Sequence, residues 1–179
     1  PGLEVASSYA DVYLTWGEPL DAVAEKVRVI KEMAAGKDRS IRAGLRIHII
    51  TRDTEEEAWV EADRIIACLD AAEVEKARER FSRMESVGQA KMAELAHGGD
   101  DDLVIAPNLW AGIGLVREGA GTAIVGSHEQ VAERLLEYRD VGIDEFILSG
   151  YPHLEEALRF GEYVRPLVDQ ATQPALPGL

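Results

Sequence analysis

Cysteine is almost absent from this 179-residue chain. Cys68 stands alone, so no internal disulfide can form and a reducing, cytoplasmic setting is expected. Long apolar runs are missing as well: none approaches the roughly 20 residues that cross a bilayer, so no membrane partner is expected. No basic stretch followed by an apolar one opens the chain, so no signal peptide is expected. Positive charge is scarce. Nineteen basic against 33 acidic residues leave a net charge of −14, which argues against nucleic acid or an anionic membrane as the main partner. No turn reads Gly-x-Gly-x-x-Gly, which removes support for a dinucleotide-binding fold. No Ser/His/Asp nucleophile arrangement is visible. His97, His128 and His153 share no metal-ligand spacing with one another or with Cys68, so no metal site is expected. His128 and His153 read as surface residues at helix starts. Asp100–Asp102 lack the alternating ligands of a calcium loop and read as a solvated turn.

What is present is a rhythm of strand and helix. Pro1–Ala10 has helical spacing but no first turn, and reads as the end of a helix in a chain truncated at its N-terminus. Strands are expected over 10–16, 43–51, 122–125 and 145–149, from short β-branched runs bounded by Gly and turn residues. Between them lie amphipathic helices. One carries Leu20, Val23, Val27 and Ile30 inward; one opens at a Thr54–Glu57 capping box; one opens at a Ser127–Gln130 capping box; one follows Pro152. Residues 70–116 break the rhythm: charged, Gly-punctuated and weakly amphipathic, they read as a mobile lid or a plain surface excursion. Residues 167–179 read as an extended tail. Strand–helix alternation demands a parallel sheet with helical crossovers. Residues 1–179 thus form a single α/β unit of about four strand–helix pairs, with a helical and loop insertion before the third strand. Four such pairs are half of a (β/α)8 barrel, although a flavodoxin-like open sheet also fits the count.

The second strand carries the unusual chemistry. Arg46 and His48 interrupt its apolar run two positions apart, so they share a face opposite Leu45, Ile47 and Ile49. A buried Arg is costly unless it is paired or meets an anion. The pair therefore suggests an anion-binding, proton-handling site; a structural ion pair beside a satisfied core histidine is the simpler alternative. In parallel α/β barrels functional groups collect at the C-terminal strand ends, which here carry Trp16, His48, Ser127, Ser149 and Tyr151, with Arg117 at the return of the insertion.

The strings Tyr13-Leu-Thr-Trp-Gly-Glu-Pro19, Arg46-Ile-His48, Glu56-Glu-Ala-Trp59, Pro107-Asn-Leu-Trp-Ala-Gly112, Leu115-Val-Arg-Glu-Gly-Ala-Gly-Thr122 and Ser149-Gly-Tyr-Pro-His-Leu-Glu-Glu156 resemble the C-terminal half of bacterial alkanesulfonate monooxygenases, of the luciferase-like two-component flavin family. The resemblance implies the second half of a TIM barrel. It implies use of reduced FMN and O2, with the flavin delivered by an NAD(P)H-dependent FMN reductase, to convert an alkanesulfonate to an aldehyde and sulfite. It places Arg46, His48, Arg117 and Tyr151 among the catalytic groups, and Trp16, Ser149 and Gly150 beside the flavin. The family's flavin-phosphate loop and first four barrel units have no counterpart in this chain. A missing N-terminal half or self-association into a homo-oligomer is therefore the expected partner. Two other readings compete: a different luciferase-like flavin or deazaflavin enzyme, and a non-catalytic half-barrel.

Overall fold

A computed structural model describes residues 2–67, 103–116 and 119–172. Arg117, Cys68, the acidic run Asp100–Asp102 and the tail 173–179 lie outside the described residues. The elements are α1 (Gly2–Tyr9), β1 (Val12–Trp16), α2 (Leu20–Ala35), β2 (Arg42–Arg52), α3 (Glu55–Ala67), β3 (Val104–Ala106), β4 (Leu109–Trp110), α4 (Ile113–Val116), β5 (Ala123–Ser127), α5 (His128–Asp140), β6 (Glu145–Ser149), α6 (His153–Arg159), a π-helical turn (Phe160–Val164) and α7 (Arg165–Thr172). The four expected strands are present. The Ser127–Gln130 capping box is complete, each residue capping the other, while at Thr54 the N-cap half is formed, Glu57 N donating to Thr54 Oγ1 at 3.2 Å.

Strand β2 is the hub. It pairs in parallel with β1, β5 and β6. Its even-numbered peptides face one edge: Arg42 N donates to Asp11 O, Arg46 O accepts from Gly17 N, and His48 N donates to Thr122 O. That edge is therefore served first by β1 and then, beyond it, by β5. The odd-numbered edge belongs to β6, where Asp144 N donates to Ala43 O. β4 joins β5 antiparallel, and β3 joins β4. The result is an α/β fold with a curled mixed sheet, a half-barrel. In one respect it differs from four units laid side by side: β6 returns to β2 instead of extending from β5.

The two faces of the sheet are covered by different helices. Odd residues of β2 (Ala43, Leu45, Ile47, Ile49) pack with Val23 and Val27 of α2, Val131 and Leu135 of α5, and Val164. Even-side residues Ile50, Ala123 and Val125 pack with Ala58 and Ala62 of α3 and with Trp110 and Ile113. Right-handed crossovers require this division. The path β1 to β2 steps across the sheet one way and β2 to β5 steps back, so their helices fall on opposite faces.

Two expectations about segment boundaries change. Residues 103–116, read as the end of the insertion, form the β3–β4 hairpin and α4. Leu109, Trp110 and Ile113 are buried there, because β4 finds ladder partners on β5. The remainder of that insertion lies outside the described residues. Residues 165–172, read in part as extended tail, are helical. Leu167 and Val168 dock on the core, and Arg165 pairs with Asp169 one turn on. Among the described residues no helix is long and apolar enough to cross a membrane.

The junction of β1 and β5 on β2 is tight. Thr122 Oγ1 donates to Gly17 O at 2.8 Å, and a Cβ on Gly17 would stand 2.7 Å from that hydroxyl and against Ile47. Gly17→Ala is therefore expected to lower stability by about 1–3 kcal/mol, read as the urea midpoint. Asp144 anchors the start of β6, its carboxylate accepting from Ala43 N at 2.8 Å and facing Lys31 at 3.1 Å. Partial burial pushes its pKa up, but the Ala43 amide and Lys31 outweigh that and hold it below the usual range. A lowered carboxylate pKa contributes stability present above the unfolded value of about 3.9 and lost as pH falls through the folded value. Asp144→Asn should remove that acid-dependent loss, so stability-versus-pH curves of variant and parent separate above the unfolded value of about 3.9 and draw together as pH falls below it.

Candidate functional site

The site is built where β2 passes between β1 and β6. Register places Trp16 beside Arg46, Arg46 beside Ile147, and His48 beside Ser149. Partners in parallel register share a face, so Trp16, Arg46, His48, Ile147 and Ser149 all project from the even side of the sheet. Leu14, two residues before Trp16, joins them. This stretch lies beyond the cover of α3 and stays open. Leu14 is 50% exposed and Ile147 42%, although both sit on core strands.

His48 is buried, and the ring of Tyr151 stacks on it at 5.6 Å between centroids and 15° between planes. Tyr151 in turn meets the exposed His153 edge-on at 4.9 Å. Arg46 is half-buried. Among the described residues its buried Nε meets no hydrogen-bond acceptor, and no carboxylate pairs with it. The simpler sequence reading, a structural ion pair, is thus not what these residues form. An apolar floor, a stacked imidazole and a guanidinium with an unused donor suit a flat ring or an alkyl chain that ends in an anion.

Of the seven residues singled out from the sequence, five converge here: Trp16, Arg46, His48, Ser149 and Tyr151. Gly150 lies at the turn, where a Cβ would stand 2.7 Å from Glu156 Cγ. Helix packing alone thus demands glycine at that position. Arg117 is outside the described residues. His128, expected on the surface, is buried: Thr51 Oγ1 lies 2.8 Å from its Nδ1, Asp53 3.2 Å from its Nε2, and Tyr163 stacks on it at 4.7 Å. Its position as first residue of α5 hides this burial, because the helix start faces the end of β2. His153 is exposed as expected.

Sequence reasoning missed an ion network above the site. Arg52 donates to Glu156 at 2.6 Å and faces Glu61 of α3 at 3.5 Å, with Glu156 1% exposed. The 46, 48, 50, 52 alternation points to Arg52; nothing local marks Glu156. A cavity of about 340 Å³ lies at the end of β6, lined by Ile49, Leu148, Ser149, Gly150, His153 and Glu156 among others, so it borders the site through Ser149 and His153. The N-terminus of α5, a place where barrels often hold phosphate, is closed by its own capping box and flanked by Glu129. Among the described residues no group of three or more His, Cys, Asp or Glu side chains is placed to hold a metal.

A family model described as luciferase-like monooxygenase matches residues 1–145. The chain belongs to the luciferase-like monooxygenase family. Solved structures agree on the fold. Riboflavin lyase RcaE superposes with a TM-score of 0.68 at 18% identity, over 95% of this chain and 41% of its own. DmoA from Hyphomicrobium sulfonivorans gives 0.68 at 19%, over 99% and 41%. The long-chain alkane monooxygenase LadA gives 0.67 at 17%, over 98% and 40%. This chain therefore spans about two fifths of the length of these luciferase-like structures.

An unsatisfied, half-buried donor is a cost to the fold. Arg46→Met keeps the volume and removes the donor. It is expected to raise the denaturation midpoint by the equivalent of about 1 kcal/mol. A lower midpoint for that variant would show that Arg46 is satisfied within the protein.

Proposed function

We propose that this chain is the second half of an FMN- and O2-dependent monooxygenase that cleaves alkanesulfonates to aldehyde and sulfite. Its partners in this reading are the first half of the barrel and a separate NAD(P)H-dependent FMN reductase. The observation that carries the reading is Arg46: a guanidinium held on an open apolar face with a buried donor and no protein carboxylate among the described residues. Delocalised and permanently charged, it matches a tetrahedral sulfonate through charge-assisted hydrogen bonds.

Trp16, Leu14 and Ile147 offer the flat apolar surface against which a flavin ring or an alkyl tail would lie. Reduced FMN, when bound, supplies the two electrons that split O2. One oxygen atom ends in the aldehyde and the other in water, while the C–S bond breaks and sulfite leaves. The residues of this chain bind, orient and move protons. Arg46 fixes the sulfonate and so the adjacent carbon. His48, whose imidazole can act as acid or base, takes or returns the proton of that carbon. Tyr151 lies over the imidazole and holds its plane. Arg117, by family resemblance, closes over the substrate and excludes water. A basic cradle for the flavin phosphate is not found among the described residues, and this reading assigns it to the first half of the barrel.

The likeness in fold to a long-chain alkane monooxygenase favours a second reading, oxidation of a neutral chain. A half-buried guanidinium with no carboxylate partner among the described residues argues against it, since a neutral substrate leaves its buried donor unsatisfied.

The test is sulfite release by the polypeptide carrying both halves, with octanesulfonate, O2, FMN and a flavin reductase. Sulfite that depends on all four is expected, with Arg46→Ala lowering kcat/KM by about 10–100-fold. Normal sulfite yield from Arg46→Ala would overturn the assignment of Arg46. Tight binding of reduced FMN without sulfite would move the substrate to another class.

A further inference from the structure

Above the site lies a buried carboxylate that the proposed chemistry does not use. Glu156 is 1% exposed, on the helix that follows Tyr151. A buried charge of this kind is costly to desolvate, and apolar residues of similar size often serve stability as well or better. Its presence therefore calls for a reason beyond holding the fold together.

Three contacts supply one. Arg52 Nη1 donates to Glu156 Oε1 at 2.6 Å, and the same nitrogen donates to Thr51 O at 2.6 Å. Thr51 N points to Glu156 Oε2 at 3.5 Å. Thr51 is an odd residue of β2, so its N–H faces the β6 edge; β6 ends at Ser149, opposite His48. Glu156 thus stands where the next strand acceptor would have stood. The third contact is steric: Glu156 Cγ occupies the space of a Cβ on Gly150, the residue before Tyr151. The carboxylate fixes α6 to the end of β2, and the Glu156 stem fixes the Gly150–Tyr151 turn against that helix. Tyr151 and His48 come from the two chain segments joined in this way.

We infer that Glu156, held by Arg52, is the positioning residue that sets Tyr151 over His48. The inference deepens the reading of this face as the reaction site and rests on it for its catalytic consequence. The geometric claim stands on the contacts alone.

The experiment separates the two. In the polypeptide carrying both halves, Glu156→Gln keeps the shape and removes the charge; the pair Arg52→Met with Glu156→Leu replaces the ion pair by apolar residues of similar size. The direct readout is the His48 imidazole resonance in protein labelled at histidine, assigned by its loss in His48→Gln. Displacement of that resonance in either folded variant is expected, because the stacked ring moves. With it, kcat for sulfite release should fall by about 10–100-fold while the KM for octanesulfonate changes little. An unchanged resonance in a folded variant overturns the inference. Failure of both variants to fold also overturns it, because Glu156 would then be a folding residue. If the parent polypeptide releases no sulfite, the functional reading fails alone, and the resonance still decides the role of Glu156.

Discussion

Strand β2 must satisfy two edges and two faces at once, and the rest of the molecule follows from that. Its eleven residues are enough for β1 and β5 to share one edge in succession while β6 takes the other. The odd side is buried by α2 and α5, so Ala43, Leu45, Ile47 and Ile49 are uniformly apolar. The even side changes character along the strand. Beside α3 it carries apolar Ile50 and, at the strand end, Arg52, whose charge is matched by Glu61 of that helix. Earlier on the strand it carries Arg46 and His48. Right-handed chain reversal between β2 and β5 puts α3 on this face, and with it the carboxylate that matches Arg52.

Charge is handled in two opposite ways on the same strand. Arg52, near the end of β2, is matched by Glu156 and Glu61, so its burial is compensated and the strand end is tied to two helices. Arg46, six residues earlier on the same side, is left without a carboxylate among the described residues. Had the fold required a cation only for structure, the solution at Arg52 was available to both. Leaving one guanidinium unmatched, beside exposed Leu14 and Ile147, costs stability and leaves a cationic apolar face open, which the proposed function assigns to substrate.

The strand order along the chain, the helix starts and the Arg46–His48 face were all legible in the sequence, because each depends on local period or on a cap. Thr54 and Ser127 open helices for reasons contained within four residues. Long-range pairing was not legible. No local pattern says that β6 returns to β2, and the hairpin at 104–110 was hidden inside a segment whose glycines and charges resemble a loop. His128 shows the same limit. A capping-box neighbour normally faces water, and only the arrival of the β2 end at the start of α5 buries it against Thr51.

Gly126 and Gly150 offer no open backbone to a phosphate. Both follow core strands at positions where barrels often approach an anionic ligand with bare backbone. In this chain both are already occupied by protein. A Cβ at Gly126 would stand 2.8 Å from Gln130 Oε1 and 2.9 Å from Asn108 Nδ2, and one at Gly150 would meet Glu156. These glycines therefore serve close packing between strand ends and the helices that follow. Among the described residues, Arg46 holds a buried cationic donor without an acceptor on the open apolar side. On the proposed reading, the substrate anion meets Arg46, and a flavin phosphate needs donors other than these two turns.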